Sequence, residues 1–291
     1  MRFSLSARKP FSLRSVVDSH GWRDLAPFRY DAERPALFYV DQLSNGHVIE
    51  YQITESPGGV AVETARLGNA EKAEASDRLT WMLGLDMDFS AFHRAARGEP
   101  KLAHVRRTAR GRVLRSPTLY EDVVKTILTT NTLWAATKRM NWNLIQRFGS
   151  RLPGSEKRAF PSAAAVASAA RRILREKIRV GYRAEALHQL ARRVSSGKLD
   201  LEALKHSDMP TTQLRDELLK IRGVGPYAAA NLLQIIGRAD FIPIDTWALK
   251  LVSHEWYRGR AVTPAQVEKR FARWGEFKGL AFWFWNWDYQ G

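Results

Sequence analysis

The chain reads as mainly α-helical, with an α+β domain built on an antiparallel sheet at its N-terminus and a helical domain after it. Three observations predict this. Leu37–Ile53, LFYVDQLSNGHVIEYQI, holds two β-rich runs around Ser44-Asn45-Gly46, and Asn-Gly between such runs is a hairpin signal. From about Glu74 the apolar residues change to a helical spacing, in SDRLTWMLGLDMDFSAFHRAARG. Later, Ile221–Leu233, IRGVGPYAAANLL, places helical patterns on both sides of a Gly-Val-Gly-Pro step.

The elements follow in order. Gly58–Leu67, GGVAVETARL, reads as a further strand, so residues 1–75 are expected to form the small α+β domain and residues 76–291 the helical one. Helical spacing recurs at about 118–131, 133–148, 161–174, 183–195, 213–221, 226–237, 245–256, 263–273 and 276–287. Turn signals separate several of these segments: Phe148-Gly149-Ser150, Leu152-Pro153-Gly154, Ser195-Ser196-Gly197 and Met209-Pro210. No repeat of fixed period is present, and the Ala-rich run Ser162–Ala170 is helix-forming composition.

Composition narrows the function classes. The 291 residues are 45% hydrophobic, enough for a substantial core. Lys plus Arg number 46 against 30 Asp plus Glu, a net charge of +16, which favours a polyanionic partner, nucleic acid first. There is no cysteine, which excludes disulfides, thiol nucleophiles, thiolate zinc sites and cysteine-ligated iron–sulfur clusters. The N-terminus carries no apolar run of signal-peptide length, and no segment approaches the ~18–20 apolar residues of a membrane span. A soluble, intracellular protein is expected.

The glycine step is expected to close a compact αα-hairpin. Gly223 and Gly225 allow backbone angles closed to other residues and leave the turn bare. The first amides of the second helix then point outward with positive partial charge, a site for an anion such as phosphate. Pro226 suits the first helical position. Eighteen residues after Tyr227 comes Asp245, in FIPIDTWALKLV. Asp245 follows an apolar run and opens a helical pattern, so it reads either as an N-cap or as a carboxylate with a chemical task.

Taken together, these motifs resemble the helix-hairpin-helix (HhH-GPD) DNA glycosylases. The resemblance lies in the sequence helix, [IL]-x-G-V-G, helix, then a loop ending in apolar-Asp-Thr. It extends to Arg112–Met140 (RVLRSPTLYEDVVKTILTTNTLWAATKRM), to Lys177–Val194 (KIRVGYRAEALHQLARRV) with its Gly-Tyr-Arg-Ala segment, and to Arg273–Trp287 (RWGEFKGLAFWFWNW). The N-terminal α+β domain is similar to the extra domain of the branch containing 3-methyladenine DNA glycosylase II and 8-oxoguanine glycosylase. Endonuclease III lacks that domain and carries a four-cysteine cluster, so the absence of cysteine agrees with the branch. Arg222 stands where the family usually has Pro, and could add a phosphate contact.

The resemblance implies roles. Asp245 would stabilise positive charge on the sugar as the N-glycosidic bond breaks. Arg222, Gly223, Val224 and Gly225 would hold DNA phosphates. Bifunctional relatives have a lysine at the position of Tyr227, so the resemblance implies a monofunctional enzyme that releases a base and leaves an abasic site; Tyr227 also reads as a core aromatic. Asn131, in Thr129–Thr132, would fill the gap left by a flipped nucleotide, or simply end a helix, with Thr132 and Leu133 as neighbours able to take its place. Tyr227, Asn231, Trp283, Asn286 and Trp287 are pocket candidates, although FWFWNW also reads as helix–helix core. The carbonyls of Leu219, Ile221 and Val224 would bind a monovalent cation, Na or K. No other cofactor is implied.

The expected partner is double-stranded DNA carrying a damaged base, most simply an alkylated purine, and the protein is expected to be a monomer. Three alternatives stand. The same chemistry could act on uracil, on thymine opposite guanine or on 8-oxoguanine. The hairpin could serve a non-catalytic DNA-binding module, which gives Asp245 no task. An RNA-binding protein is a further class, for which the chain shows no aromatic-basic motif.

Overall fold

The computed structural model describes residues 1–289. In chain order the strands and helices are β1 (Arg2–Ser6), α1 (Leu13–Val17), β2 (Phe28–Asp31), β3 (Ala36–Gln42), β4 (Val48–Ser56), β5 (Gly59–Glu63), α2 (Asn69–Leu83), α3 (Ser90–Ala95), α4 (Leu119–Thr129), α5 (Trp134–Phe148), α6 (Ala163–Ala167), α7 (Arg171–Glu176) and α8 (Ala184–Ser195). There follow α9 (Leu201–Lys205), α10 (Thr211–Leu219), α11 (Pro226–Ile236), α12 (Thr246–Tyr257), α13 (Pro264–Phe271) and α14 (Lys278–Trp283). An antiparallel sheet followed by helices is the class the sequence predicts. Among the described residues, no helix is long and apolar enough to cross a membrane.

Two compact units result. The first comprises residues 1–87, 112–206 and 221–223. Its sheet has the order β1-β5-β4-β3-β2, antiparallel throughout. The predicted Asn-Gly hairpin joins β3 to β4 in a register that places Tyr39 opposite Tyr51 and Leu37 opposite Ile53, all four buried. Helix α4 is buried along nearly its whole length, which a helix apolar on one face alone would not tolerate. Its charged side chains are paired inside the unit. Lys125, fully buried, meets Glu121 at 2.6 Å, and Tyr39 donates to Glu121 at 2.6 Å. Asp122 accepts from the Trp22 indole at 2.7 Å and from the Ser116 amide at 3.0 Å. Burial pushes the Asp122 carboxyl up to about 7, opposed by Lys125 and by these donors. His20 lies 2.6 Å from the Leu114 carbonyl, and burial pushes its imidazole down to about 4.

The second unit comprises residues 88–111, 207–220 and, among the described residues, 224–289. It contains α3 and α10 to α14, with α10 packed on α11 and α13 on both α12 and α14. Its core is aromatic: Trp256, Phe271, Phe282, Trp285 and Trp287 lie with ring centroids 5.3–6.1 Å apart where they touch. Two predicted helices are interrupted. The segment expected at 161–174 is α6 and α7 with extended backbone at Ala170 between them. The closing segment is a 3₁₀ turn, Ala272–Phe277, kinked at Gly275, followed by α14, which stops at Trp283.

Candidate active site

The hairpin helices α10 and α11 are joined by residues 220–225. Gly223 has φ +89°, in the left-handed region, and a Cβ there would lie 3.0 Å from that of Ala186. The backbone angle calls for glycine at this position, and the packing leaves little room for a side chain. Gly225 differs from expectation. Its φ is −94°, open to any residue, and a Cβ would meet nothing within 4 Å. The fold does not require its bareness. What it leaves is free space at the N-cap of α11, in front of the amides that have no intrahelical acceptor. Pro226 takes the first helical position, as predicted. Arg222 is exposed, with Glu185 at 3.8 Å, and Val224 is buried.

Asp245 is the N-cap of α12, and its Oδ1 accepts from the Ala248 amide at 2.8 Å. The capping reading is therefore correct as geometry. It does not exhaust the residue, because one oxygen serves the cap and the carboxylate is only half-buried. Tyr227, on the first turn of α11, is also half-buried. Burial raises its phenol pKa, the nearby charge of Asp245 raises it further, and the Asn231 amide opposes the shift. A neutral phenol and a carboxylate thus share one neighbourhood. Asn231 stands one turn beyond Tyr227 and donates its side-chain N–H to the Tyr227 carbonyl at 3.1 Å.

The loop before Asp245 is held by a contact with no local sequence signature. The Gly279 amide donates to the Ala239 carbonyl at 2.6 Å, and a Cβ on Gly279 would lie 2.6 Å from the carbonyl oxygens of Ala239 and Phe241. Only glycine lets α14 come this close to the backbone leading into Asp245.

The C-terminal candidates separate. Trp283 ends α14 and is half-buried. Asn286 and Trp287 lie beyond the helix, which corrects the expectation that they sit on it. The segment Trp285-Asn286-Trp287 alternates instead, with both indoles in the aromatic core and Asn286 exposed. Its backbone is fixed by the Asn286 amide donating to the Lys101 carbonyl at 3.0 Å. Trp287 touches Trp256, Phe271 and Phe282, so the core reading describes it. The residue that sequence reading passed over is Trp247, two positions after Asp245. It is 43% exposed, and lies near Tyr289, which stacks on His254 with centroids 4.0 Å apart.

In the first unit, Asn131 follows α4 with φ +46° and is exposed. Leu133, two residues on, is 80% exposed. The loop is nonetheless fixed. The buried Arg183 guanidinium donates to the Thr130 carbonyl, and the Tyr182 hydroxyl donates to the same oxygen at 3.4 Å. Tyr182 itself is 68% exposed. The Gly-Tyr-Arg segment therefore braces the loop that bears Asn131. Among the described residues, no group of His, Cys, Asp and Glu side chains could hold a metal ion.

A model of the HhH-GPD superfamily of base excision DNA repair proteins matches residues 124–277, more than half of the chain. The chain belongs to this superfamily. The matched span carries the Asn131 loop, the hairpin and Asp245, but not the sheet. No curated protein matches the sequence. Solved structures share the fold at low identity. "MBOgg1 in complex with low affinity DNA ligand" is 21% identical with TM-score 0.76, covering 97% of this chain and 93% of that one. The 3-methyladenine DNA glycosylase of Archaeoglobus fulgidus is 19% identical with TM-score 0.75, covering 97% of each. The 8-oxoguanine glycosylase/lyase of Clostridium acetobutylicum is 19% identical with TM-score 0.69, covering 92% of this chain and 93% of that one. These structures share the fold of this chain over the sheet-bearing N-terminal part as well as over the helices.

Proposed function

We propose that the protein is a monofunctional DNA glycosylase that excises a damaged base, an alkylated purine first, from duplex DNA. The observation that carries this reading is the half-buried Asp245, with one oxygen on the α12 cap, in the same neighbourhood as the half-buried Tyr227 of the hairpin. Duplex stacking hides the bond to be cut, so the nucleotide must be flipped out. Asn131, flanked by the exposed Leu133 and Tyr182, is the residue assigned to the vacated space. The hairpin amides around Gly225, with Arg222, are assigned to phosphates. Leu219, Ile221 and Val224 offer carbonyl oxygens, the hard donors that suit a monovalent cation in this turn. Such an ion would add positive charge facing the phosphate.

The bond from the sugar C1′ to the base nitrogen breaks with its electron pair leaving on the base, and positive charge grows on the sugar. The Asp245 oxygen not used by the cap stabilises that charge and orients the water that adds to C1′. The water's proton is released as the abasic hydroxyl forms, and the departing base takes up a proton where its charge requires one. Tyr227 brings no amine, so no Schiff base forms and the strand is left intact. Lys220 is held by Glu217 at 2.6 Å. Trp247 offers an exposed ring for a flat, electron-poor base. Asn231 supports the second reading, a neutral base recognised by hydrogen bonds, such as 8-oxoguanine.

A panel of duplexes, each with one lesion, tests this on a denaturing gel before and after hot alkali, with borohydride trapping in parallel. We expect cleavage only after alkali and no trapped complex. Cleavage before alkali together with a trapped complex would overturn the monofunctional reading, and the active lane identifies the base.

A further inference from the structure

The outer face of α8 carries a second concentration of charge. Its inner face, with Leu187, Leu190 and Ala191, is buried. Opposite this, a cleft of about 460 Å³ is lined by Arg171, Glu185, His188, Arg192, Arg193 and Lys198, among others. Four permanent cations share it with one carboxylate. Glu185 faces both sides: it hydrogen-bonds Arg171 at 2.6 Å, and Arg222, on the hairpin turn, lies 3.8 Å from its other oxygen. Arg171 chiefly keeps its carboxyl below the usual range. The remaining cations, Arg192, Arg193 and Lys198, have no carboxylate among the described ion pairs. Concentrating like charge in a concave surface costs repulsion, which a bound polyanion would relieve.

We infer that this cleft is a second binding site for DNA phosphates, continuing from the hairpin turn, with Glu185 holding the anion position until a phosphate displaces it. The inference rests on the DNA-binding reading of the hairpin and extends it. The carboxylate explains why two guanidiniums from separate segments, Arg171 and Arg222, are already gathered before DNA arrives. A phosphodiester then exchanges with Glu185 rather than having to order free side chains. The contact reads no sequence, because it meets only backbone charge.

The test is equilibrium binding of the full chain to an undamaged fluorescent duplex at several salt concentrations. Each phosphate contact contributes about 0.9 to the slope of log affinity against log salt. Arg192→Gln with Lys198→Gln, both exposed positions, should therefore lower the slope by about 1.8. Arg192→Lys with Lys198→Arg should keep it, because charge is preserved. Arg106→Gln with Arg107→Gln, two exposed cations outside the cleft, should leave it unchanged. Glu185→Gln should tighten binding several-fold at low salt. An unchanged slope in the first variant, an equal loss in the Arg106/Arg107 control, or no tightening in Glu185→Gln would overturn the inference. Wild-type protein that binds while the first variant keeps its slope overturns this inference alone. Failure of wild-type protein to bind duplex overturns the hairpin reading with it.

Discussion

Asp122 and Asp245 are both carboxylates beside an aromatic donor group, yet they are built in opposite ways. Asp122 is fully enclosed, and its acceptors are taken by the Trp22 indole and the Ser116 amide. Burial holds it uncharged to about pH 7. Asp245 gives one oxygen to a helix N-terminus and keeps part of itself at the surface beside a protonated Tyr227. A carboxylate whose partners are all internal can only hold the fold. One that is reachable and half-used can act on something that arrives. Burial and hydrogen-bond accounting, rather than residue type, separate scaffold from chemistry here.

The largest effect should come from the open carboxylate. Asp245→Asn keeps the cap, because Asn serves that position as well as Asp, but removes the charge. Base release in single turnover should fall by about 10²–10³-fold, with duplex affinity and thermal stability close to wild type. Equal rates in the two proteins would place the chemistry elsewhere and leave Asp245 as a cap.

The enclosed carboxylate should fail differently. Asp122→Leu strands two buried donors, the Trp22 indole and the Ser116 amide, costing about 2–6 kcal/mol out of a total of about 5–15. Urea unfolding would show this, and activity should survive in proportion to the folded fraction. The pH dependence has a definite sign. The folded Asp122 pKa, about 7, lies above the ordinary 3.8, so its stabilisation is full below about pH 4 and is lost as pH rises through about 7. His20 runs the other way: pushed from 6.5 to about 4, it stabilises above 6.5 and loses this as pH falls through 4. Comparing wild type with Asp122→Asn at each pH cancels the His20 contribution. The advantage of wild type should shrink between pH 4 and 8, and a constant difference would show that burial does not shift Asp122.

Local chemistry was the part legible in the sequence. Asn45-Gly46, the bare hairpin turn, Pro226 and the capping position of Asp245 each announce themselves within a few residues, because turns and caps are made by neighbours. The Trp22–Asp122 bond joins residues a hundred positions apart, and Arg183 reaches the Thr130 carbonyl of the Asn131 loop from 53 positions away. Gly279 looks like any helical glycine until Ala239 and Phe241 press against it. Such contacts leave no period and no motif. The closing segment was misread for a related reason: FWFWNW fits both a helical and an alternating pattern, and only packing around Phe271 decides that Trp285 and Trp287 alternate.

The finest contrast lies inside the hairpin, between two glycines that the sequence presents as equals. Gly223→Ala forces a side chain into the left-handed region, at a cost of about 1–2 kcal/mol, and sets its Cβ 3.0 Å from that of Ala186. It should lower stability by at least that amount. Gly225→Ala meets no neighbour and an ordinary φ, and the smaller entropy of the unfolded chain favours the alanine slightly, by about 0.4–1 kcal/mol. Its stability should hold or rise. Its affinity for duplex should nevertheless fall, because the methyl group occupies the space a phosphate needs in front of the α11 amides. A stable Gly225→Ala protein with unchanged DNA affinity would mean that no phosphate approaches this turn. Loss of affinity without loss of stability would show that the glycine is there for a ligand rather than for the fold.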